Sequence, residues 1–355
     1  MKDNTFTIAK GIGIILVVLG HCTCVGNYIS VFRFIYLFHM PLFFFISGFF
    51  FKKCYIYDVK SFVYKRIKRL YLPFVMWNLL FIILHNFFYH INIYSNLYGF
   101  NGGVSKLYNY KDIIYNIIQV LEFRGGEVLL GPLWFLPVLF FSSFIALFGL
   151  YFFYKIREKN RKDYTLIIFF VSLSVFFMYK KIGIFYITSM SLNATAIYLS
   201  GYFIKQNNYY NKLLKYKYCL IVLTAILLTV CSIAHPISLM SMTTCFDIVY
   251  IYIIGLIGVF FVIFLSNIIS NTKCSSLLSL LGNNTMIILI LHLLCFKIVN
   301  LIKIYCYALN ISTLSMSSFI PLNQNLIWIL LYVLSGTGIP VILNISYKRL
   351  ILKLK

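Results

Sequence analysis

The chain has 355 residues, of which 61% are hydrophobic, 19% are aromatic and only 11% are charged. This composition excludes an ordinary soluble domain and is typical of an integral membrane protein. The formal charge of +23, from 31 Lys and Arg against 8 Asp and Glu, would suggest nucleic-acid binding in a soluble protein. In a membrane protein the position of each charge matters more than the total, and we expect no nucleic-acid partner.

Apolar runs near 20 residues recur from end to end and leave no polar stretch long enough for a separate core. The sequence therefore predicts an all-α, polytopic fold, with residues 1–355 forming one transmembrane domain. About ten transmembrane helices are predicted, at roughly 7–26, 31–51, 71–91, 132–154, 164–179, 184–204, 218–235, 245–268, 284–306 and 325–347. The first run is poor in small-residue cleavage sites, so we expect it to be helix 1 rather than a removed signal peptide.

Basic residues alternate between the predicted connections. Segments on the side of the two termini hold 23 of the 31 Lys and Arg, whereas the connections on the other side hold six. Because basic residues concentrate on the cytoplasmic side, both termini are predicted to be cytoplasmic. The longest external connection, about 92–131, is polar at first and then amphipathic, which makes it a candidate to lie on the outer membrane surface beside a substrate.

The nine cysteines lie mostly in or beside apolar runs. They include no Cys-x-x-Cys pair and no Cys/His cluster at the spacing of metal ligands. We therefore interpret them as small hydrophobic side chains and predict no metal site.

Lys10 and His21 are eleven positions apart in the first apolar run. On an α-helix this spacing gives a rise of roughly 16 Å and brings both side chains within about 20° of one face. An ionisable side chain within a membrane span is costly and is therefore a functional candidate. The alternative for His21 is a hydrogen bond to a neighbouring helix, a common use of histidine in membranes.

His39 lies in the second predicted span, within FHMPLFFFISGFF. By the predicted orientation it shares the outward half of the membrane with His21, so two imidazoles are expected at similar depth. Pro41 cannot donate its backbone N–H and is expected to kink this span, leaving the Leu37 carbonyl free. For Gly48, close packing of helices is at least as good an interpretation as a role in a site.

Arg66 and Arg69 occur in YKRIKRLYLPFVMWN, immediately before the third predicted span. One helical turn apart, they can present two guanidinium groups to a single polyanion. The alternative is that this basic cluster only fixes the topology or contacts anionic lipid.

Further polar candidates lie nearer the outer side. Trp134, in GPLWFLP, could be a residue of the interfacial aromatic belt. Glu127 could orient a catalytic imidazole or bind a sugar hydroxyl, and it could equally be solvated or paired. His292 and Asp247 are polar groups at membrane depth. Three histidines near span ends need only solvent around them, namely His85, His90 and His235.

The ordered combination of K-x10-H, FHMPLFFFISG, KRIKRLYLPF, GPLWFLP and LGNNTMIILILH resembles the acyltransferase 3 family of membrane O-acyltransferases, most closely its fucose 4-O-acetylase-like branch. The resemblance implies that His21 is catalytic, that Lys10 belongs to the same motif, and that Arg66 and Arg69 are linked to acyl-CoA binding. Many members have Arg where Lys10 stands, and their paired arginines are often one residue closer together.

The same resemblance implies a membrane O-acetyltransferase that uses cytoplasmic acetyl-CoA as a co-substrate, with no permanently bound cofactor. The acceptor would be a sugar hydroxyl of a surface polysaccharide or of its lipid-linked precursor, in the plasma membrane (inner membrane) of a bacterium. We expect His21 and His39 in catalysis and Trp134 and Glu127 at the acceptor. His21 could act as a general base or form an acetyl-histidine, and the sequence leaves both open. The main rival is a transporter or flippase for lipid-linked glycans.

Overall fold

A computed structural model describes residues 4–97, 106–155, 163–316 and 318–354. The structure is 78% helical and has no strand among these residues. The helices, in chain order, are α1 (Thr5–Gly20), α2 (Ile29–Tyr36), α3 (His39–Phe49), α4 (Val59–Arg66), α5 (Leu72–His90), α6 (Tyr110–Leu121), α7 (Phe135–Lys155), α8 (Tyr164–Tyr179), α9 (Ser189–Gln206), α10 (Tyr209–Leu214), α11 (Lys217–Ala234), α12 (Cys245–Ile269), α13 (Ser275–Asn283), α14 (Thr285–Cys306) and α15 (Leu326–Leu354). The predicted all-α fold is confirmed.

Seven segments of the described chain are long and apolar enough to cross a membrane, which makes this a multi-pass membrane protein. They are Gly26–Phe49, Val59–His90, Val128–Lys155, Lys217–Ala234, Cys245–Ile269, Thr285–Cys306 and Leu326–Ile351. Two further apolar helices, Thr5–His21 and Tyr164–Tyr179, are shorter. The predicted count of about ten is not confirmed, and the side on which the termini lie stays a prediction.

Helix α9 occupies most of the predicted span 184–204 but is not among the seven. It is the most polar of the predicted spans because Asn193, Thr195 and Ser200 interrupt its apolar residues. These side chains are buried and hydrogen-bond within the protein: Asn193 donates to the Ile248 carbonyl, and Thr195 and Ser200 donate to carbonyls of their own helix. Helix α9 is therefore surrounded by other helices of the protein instead of by lipid.

The chain forms two compact units, and the first comprises the chain up to Gly13 together with residues 30–69 and 135–279. Helix α9 lies at its centre and packs against α3, α7, α8 and α12. Gly48 of α3 meets the backbone of Tyr198, and Gly201 of α9 meets the backbone of Phe45. The close packing that we considered for Gly48 is therefore what the structure shows.

The second unit comprises residues 14–29, 70–134 and 280–355. Helix α14 packs against α15, and α6 packs against α5. The direction of α6 follows from its two ends. At one end Asn86 of α5 exchanges hydrogen bonds with the main chain of Tyr108, and at the other the Tyr71 hydroxyl donates to the Leu121 carbonyl. Helix α6 therefore runs antiparallel alongside α5.

Whether the connection 92–131 lies at the outer membrane surface stays a prediction. Its amphipathic part, α6, lies along the length of α5. The physical reason is that two side chains of α5 hydrogen-bond to the main chain on either side of α6. Asn86 bonds to Tyr108 before α6, and Asn78 bonds to Glu127 after it. Residues 98–105 of this connection lie outside the described residues.

Replacing Gly48 with Ala tests the packing of α3 on α9. A Cβ at this position would overlap the Tyr198 carbonyl oxygen, a main-chain atom that cannot move without moving α9. We expect Gly48→Ala to lower the stability of the protein by more than about 3 kcal/mol, the upper end for ordinary overpacking. Gly338→Ala is the control, since a Cβ at Gly338 meets nothing within 4 Å. Equal midpoints of thermal unfolding in detergent for the two variants would contradict the packing argument.

Candidate functional site

Helix α1 ends at Gly20 and does not continue to the predicted residue 26. His21 is therefore the first residue after the helix. The Leu19 carbonyl accepts the main-chain N–H of Cys22 at 3.1 Å, and the Cys22 thiol and the Thr23 hydroxyl donate to the same oxygen at 3.3 and 2.9 Å. The imidazole of His21 is half-buried. Among the described residues it has no hydrogen-bond partner, so both ring nitrogens remain available.

The ring that contacts His21 is that of His292, with centroids 5.2 Å apart and planes tilted by 40°. His292 lies on α14 and is fully buried. Its Nδ1 donates to the Ile288 carbonyl at 3.0 Å, and its Nε2 has no partner in the described structure. The sequence marked His292 only as a polar group at membrane depth, and its contact with His21 depends on tertiary packing.

Two lysines farther along α14 are also fully buried, and neither has a carboxylate partner among the described residues. Lys297 donates to the carbonyls of Leu314 and Met316. Lys303 donates to the Ile320 carbonyl at 2.7 Å and to the Gln324 side-chain carbonyl at 2.9 Å. The two ammonium groups therefore hold the connection between α14 and α15 against α14. Their position inside an apolar run was the signal that could have identified them.

This connection also reaches the segment of His21. The Gln324 side chain accepts from Lys303 and donates through Nε2 to the Cys22 carbonyl, at 3.2 Å. Cys22 is the neighbour of His21 in the chain. Helix α14 thus supports the His21 segment in two ways, through the ring of His292 and through the hydrogen bonds of Lys303 and Gln324.

Glu127 is buried and pairs with His85, whose Nδ1 lies 2.8 Å from the carboxylate. The other ring nitrogen of His85 donates to the Lys106 carbonyl at 2.8 Å. The pair therefore holds one proton between Nδ1 and the carboxylate, and a second on Nε2. The Tyr108 ring stacks on the imidazole with centroids 3.4 Å apart, and burial, together with the Glu127 carboxylate, raises the pKa of Tyr108 so that its hydroxyl stays neutral.

The expectation that solvent surrounds His85 is wrong. The segments on both sides of α6 fold back onto α5 and bring Lys106, Tyr108 and Glu127 around the ring. Of the interpretations considered for Glu127, the structure shows the paired one, while a part in acceptor binding stays a prediction. An ionisable residue within the last turns of an apolar run could have pointed to this pair.

Among the described residues of the first unit, Arg66 has only neutral partners. Its guanidinium donates to the Ser47 hydroxyl at 3.2 Å and to the Tyr198 hydroxyl at 2.7 Å, and it lies over the Phe62 ring. Hydroxyl groups and a ring face orient a guanidinium without neutralising it. The positive charge of Arg66 is therefore held in place and available to an anion.

Arg69 does not continue the α-helical spacing from Arg66. A π-helical turn, Ile67–Tyr71, follows α4, so the two guanidinium groups are not one α-helical turn apart as the sequence predicted. Arg66 is half-buried and Arg69 is exposed. Arg69 lies instead within electrostatic range of Lys10 on α1. None of the three cations forms an ion pair with a carboxylate in the part of the chain that the structure describes. A π turn inside helices is frequent at functional sites.

The two remaining predicted residues lie in different units. His39 begins α3, directly after the helix is interrupted at residues 37 and 38, where Pro41 predicted a kink. It is buried, its Nδ1 donates to the Ile35 carbonyl at 3.0 Å, and its ring contacts Tyr36. Trp134, in the second unit, is half-buried and ends the 3₁₀ turn Val128–Trp134, which packs against α14. The roles of both stay predictions.

Comparison with known proteins identifies one family. Residues 3–345 match the acyltransferase 3 family model, which is described as an acyltransferase domain. No curated protein and no solved structure matches the chain. Within the described residues, no group of three or more His, Cys, Asp or Glu side chains could hold a metal ion.

Glu127→Gln tests whether the buried pair fastens the segment after α6 to α5. Removing the charge of one partner leaves the other buried and uncompensated, and we expect a loss of about 3 kcal/mol in stability. Glu122→Gln is the matched control, because Glu122 is half exposed and its ion pair with Arg124 contributes little. The measurement is the midpoint of thermal unfolding in detergent. A Glu127 side chain that served only to bind a substrate would leave this midpoint unchanged.

Proposed function

Because this chain belongs to the acyltransferase 3 family, we propose that it is a membrane O-acetyltransferase of the fucose 4-O-acetylase-like branch. It moves an acetyl group from cytoplasmic acetyl-CoA to a sugar hydroxyl of a surface polysaccharide or of its lipid-linked precursor. The basic segments around both termini face the cytoplasm in this proposal, and the protein resides in the plasma membrane (inner membrane) of a bacterium.

The observation that carries the proposal is that three cations of the first unit have no carboxylate partner among the described residues. Lys10, Arg66 and Arg69 share this property, and Lys10 and Arg69 lie within range of mutual repulsion. Like charges held together are unfavourable unless an anion joins them. The phosphates of acetyl-CoA supply several negative charges, and guanidinium groups bind phosphate through paired hydrogen bonds.

His21 supplies the acid–base chemistry. As the acceptor hydroxyl attacks the thioester carbonyl, a ring nitrogen of His21 takes its proton, and the C–S bond breaks when the tetrahedral intermediate collapses. The same proton then passes to the departing thiolate and gives free CoA. In the covalent variant His21 attacks the thioester first and passes the acetyl group to the hydroxyl afterwards. The half-buried ring without a hydrogen-bond partner among the described residues supports either route.

The acceptor approaches from the extracytoplasmic side in this proposal. The Trp134 ring, half-buried at the end of its 3₁₀ turn, offers an apolar face on which a sugar can stack. Glu127 belongs to the same unit, and its carboxylate is assigned to the acceptor site in addition to its bond with His85. His39 is retained as a second catalytic residue.

His21→Ala tests the enzymatic assignment. Without the imidazole no base takes the hydroxyl proton, and we expect transfer of radiolabel from acetyl-CoA to membrane glycans to be abolished, while the protein remains in the membrane. The assay uses membrane vesicles that contain the full chain and the glycans of the cells. His90→Ala is the control, because His90 is exposed at the end of α5. Labelling retained by His21→Ala would remove His21 from the mechanism, and glycan movement without acetyl-CoA would favour the transporter.

Arg66→Gln and Arg69→Gln test the phosphate site. Each variant removes charge-assisted hydrogen bonds, and we expect the KM for acetyl-CoA to rise about tenfold in each. Acetyl-dephospho-CoA lacks one phosphate, so the variants should also discriminate less between it and acetyl-CoA. Lys212→Gln removes one positive charge from the exposed face of α10 and serves as the control. An unchanged KM in both arginine variants would reject the phosphate site.

A further inference from the structure

His21 and His292 meet where the end of α1, helix α14 and helix α15 pack together. Gly336 of α15 is the residue at this crossing. A Cβ at Gly336 would lie 2.7 Å from the Phe296 ring, 2.8 Å from Val18 and 3.4 Å from the Cβ of His292. Because Gly336 has no side chain, α15 can pack closely against both the end of α1 and α14, which carry His21 and His292.

The hydrogen-bonding capacity of His292 is only half used. The Ile288 carbonyl can only accept, so Nδ1 carries a proton and donates it. In a neutral imidazole the other nitrogen is then an acceptor, and Nε2 is buried without a donor in the described structure. An unsatisfied buried acceptor is unfavourable by about 1–3 kcal/mol. The ring next to it, at 5.2 Å between centroids, is that of His21.

Packing alone does not explain a histidine at this position. In an α-helix the Ile288 carbonyl also accepts the main-chain N–H four residues later, so the bond from Nδ1 is an additional one. The two buried lysines of α14 donate to carbonyls of the α14–α15 connection. The ionisable ring that the structure places against His292 is that of His21, so His21 is the candidate donor to Nε2.

We propose that His292 is a positioning residue for His21: its Nε2 accepts the N–H of one His21 ring nitrogen during transfer and turns the other nitrogen towards the acceptor hydroxyl. The proposal rests on the catalytic role of His21 proposed above. The His21 ring is free to rotate towards this bond, because no side-chain hydrogen bond to another described residue restrains it. Catalytic hydrogen bonds are often long or misaligned without substrate and shorten when it binds.

The protons balance in this arrangement. The hydroxyl proton moves to the free nitrogen of His21 and from there to the sulfur of CoA, so His21 begins and ends neutral. His292 keeps its Nδ1 proton on the Ile288 carbonyl throughout and neither gains nor loses one. Its contribution is the orientation of the His21 ring and the stabilisation of that ring while it is positively charged, as a carboxylate does for histidine in hydrolases.

The experiment compares His292→Asn with His292→Gln. An Asn amide can replace Nδ1 as donor to the Ile288 carbonyl but has no acceptor at the place of Nε2, whereas a Gln amide oxygen can reach that place. We expect His292→Asn to lower kcat about 10- to 100-fold with the KM for acetyl-CoA unchanged, and His292→Gln to recover most of the loss. Rates are measured with radiolabelled acetyl-CoA and vesicle glycans, per molecule of folded protein.

A second pair of variants leaves His292 intact. Gly336→Ala should lower kcat because it separates the two rings, while Gly338→Ala, with open space around it, should keep the kcat of the wild type. Equal kcat values for the Asn and Gln variants, or for the two glycine variants, would overturn the proposal. If His21→Ala is inactive and these pairs do not differ, only the role of His292 fails. If His21→Ala remains active, the proposed function itself fails.

Discussion

Main-chain carbonyls satisfy most of the polar side chains buried in the apolar helices, and this constraint shapes the structure around His21. In hydrocarbon an unpaired donor costs several kcal/mol, so each buried polar group must find its partner within the protein. Lys297 and Lys303 therefore gather carbonyls of the α14–α15 connection, and this fixes the course of that connection. Gln324 then carries the effect to the Cys22 carbonyl. Lys303 therefore supports the His21 segment through Gln324, in addition to the contact between His21 and the ring of His292.

Against this background an unsatisfied acceptor at His292 is informative. It is one of four buried side-chain atoms without a hydrogen bond among the described residues, and it lies beside another ionisable ring. His39 offers a comparison, because its Nδ1 also donates to the carbonyl four residues earlier. The local bond is therefore common to His39 and His292. What distinguishes His292 is its neighbour, and that neighbour is the residue on which the family resemblance places the chemistry.

The sequence predicted the all-α membrane class, because a run of apolar residues has few alternatives to a helix in a membrane, but its count of about ten spans is not confirmed. It also selected Lys10, Arg66 and Arg69 as candidates, since basic residues beside apolar runs are conspicuous, and their role stays a prediction. It did not predict the π turn after Arg66, because a one-residue change in hydrogen bonding leaves no mark on the apolar pattern. Nor did it predict the burial of His85. An amphipathic segment suits the membrane surface and the side of another helix equally, and its apolar pattern does not reveal the bond between His85 and Glu127.

Buried positive charges have different kinds of partner in the two units, and this difference is relevant to function. Lys303 is fully buried, yet carbonyl dipoles surround its ammonium group. Arg66 is only half-buried, but it contacts hydroxyl groups and ring faces, which leave its charge uncompensated. This chain can therefore satisfy a buried cation with its own backbone and does not do so at Arg66. Hydroxyl partners without a counter-charge among the described residues are the arrangement expected where a ligand brings the anion, and the proposed acetyl-CoA site depends on this property of Arg66.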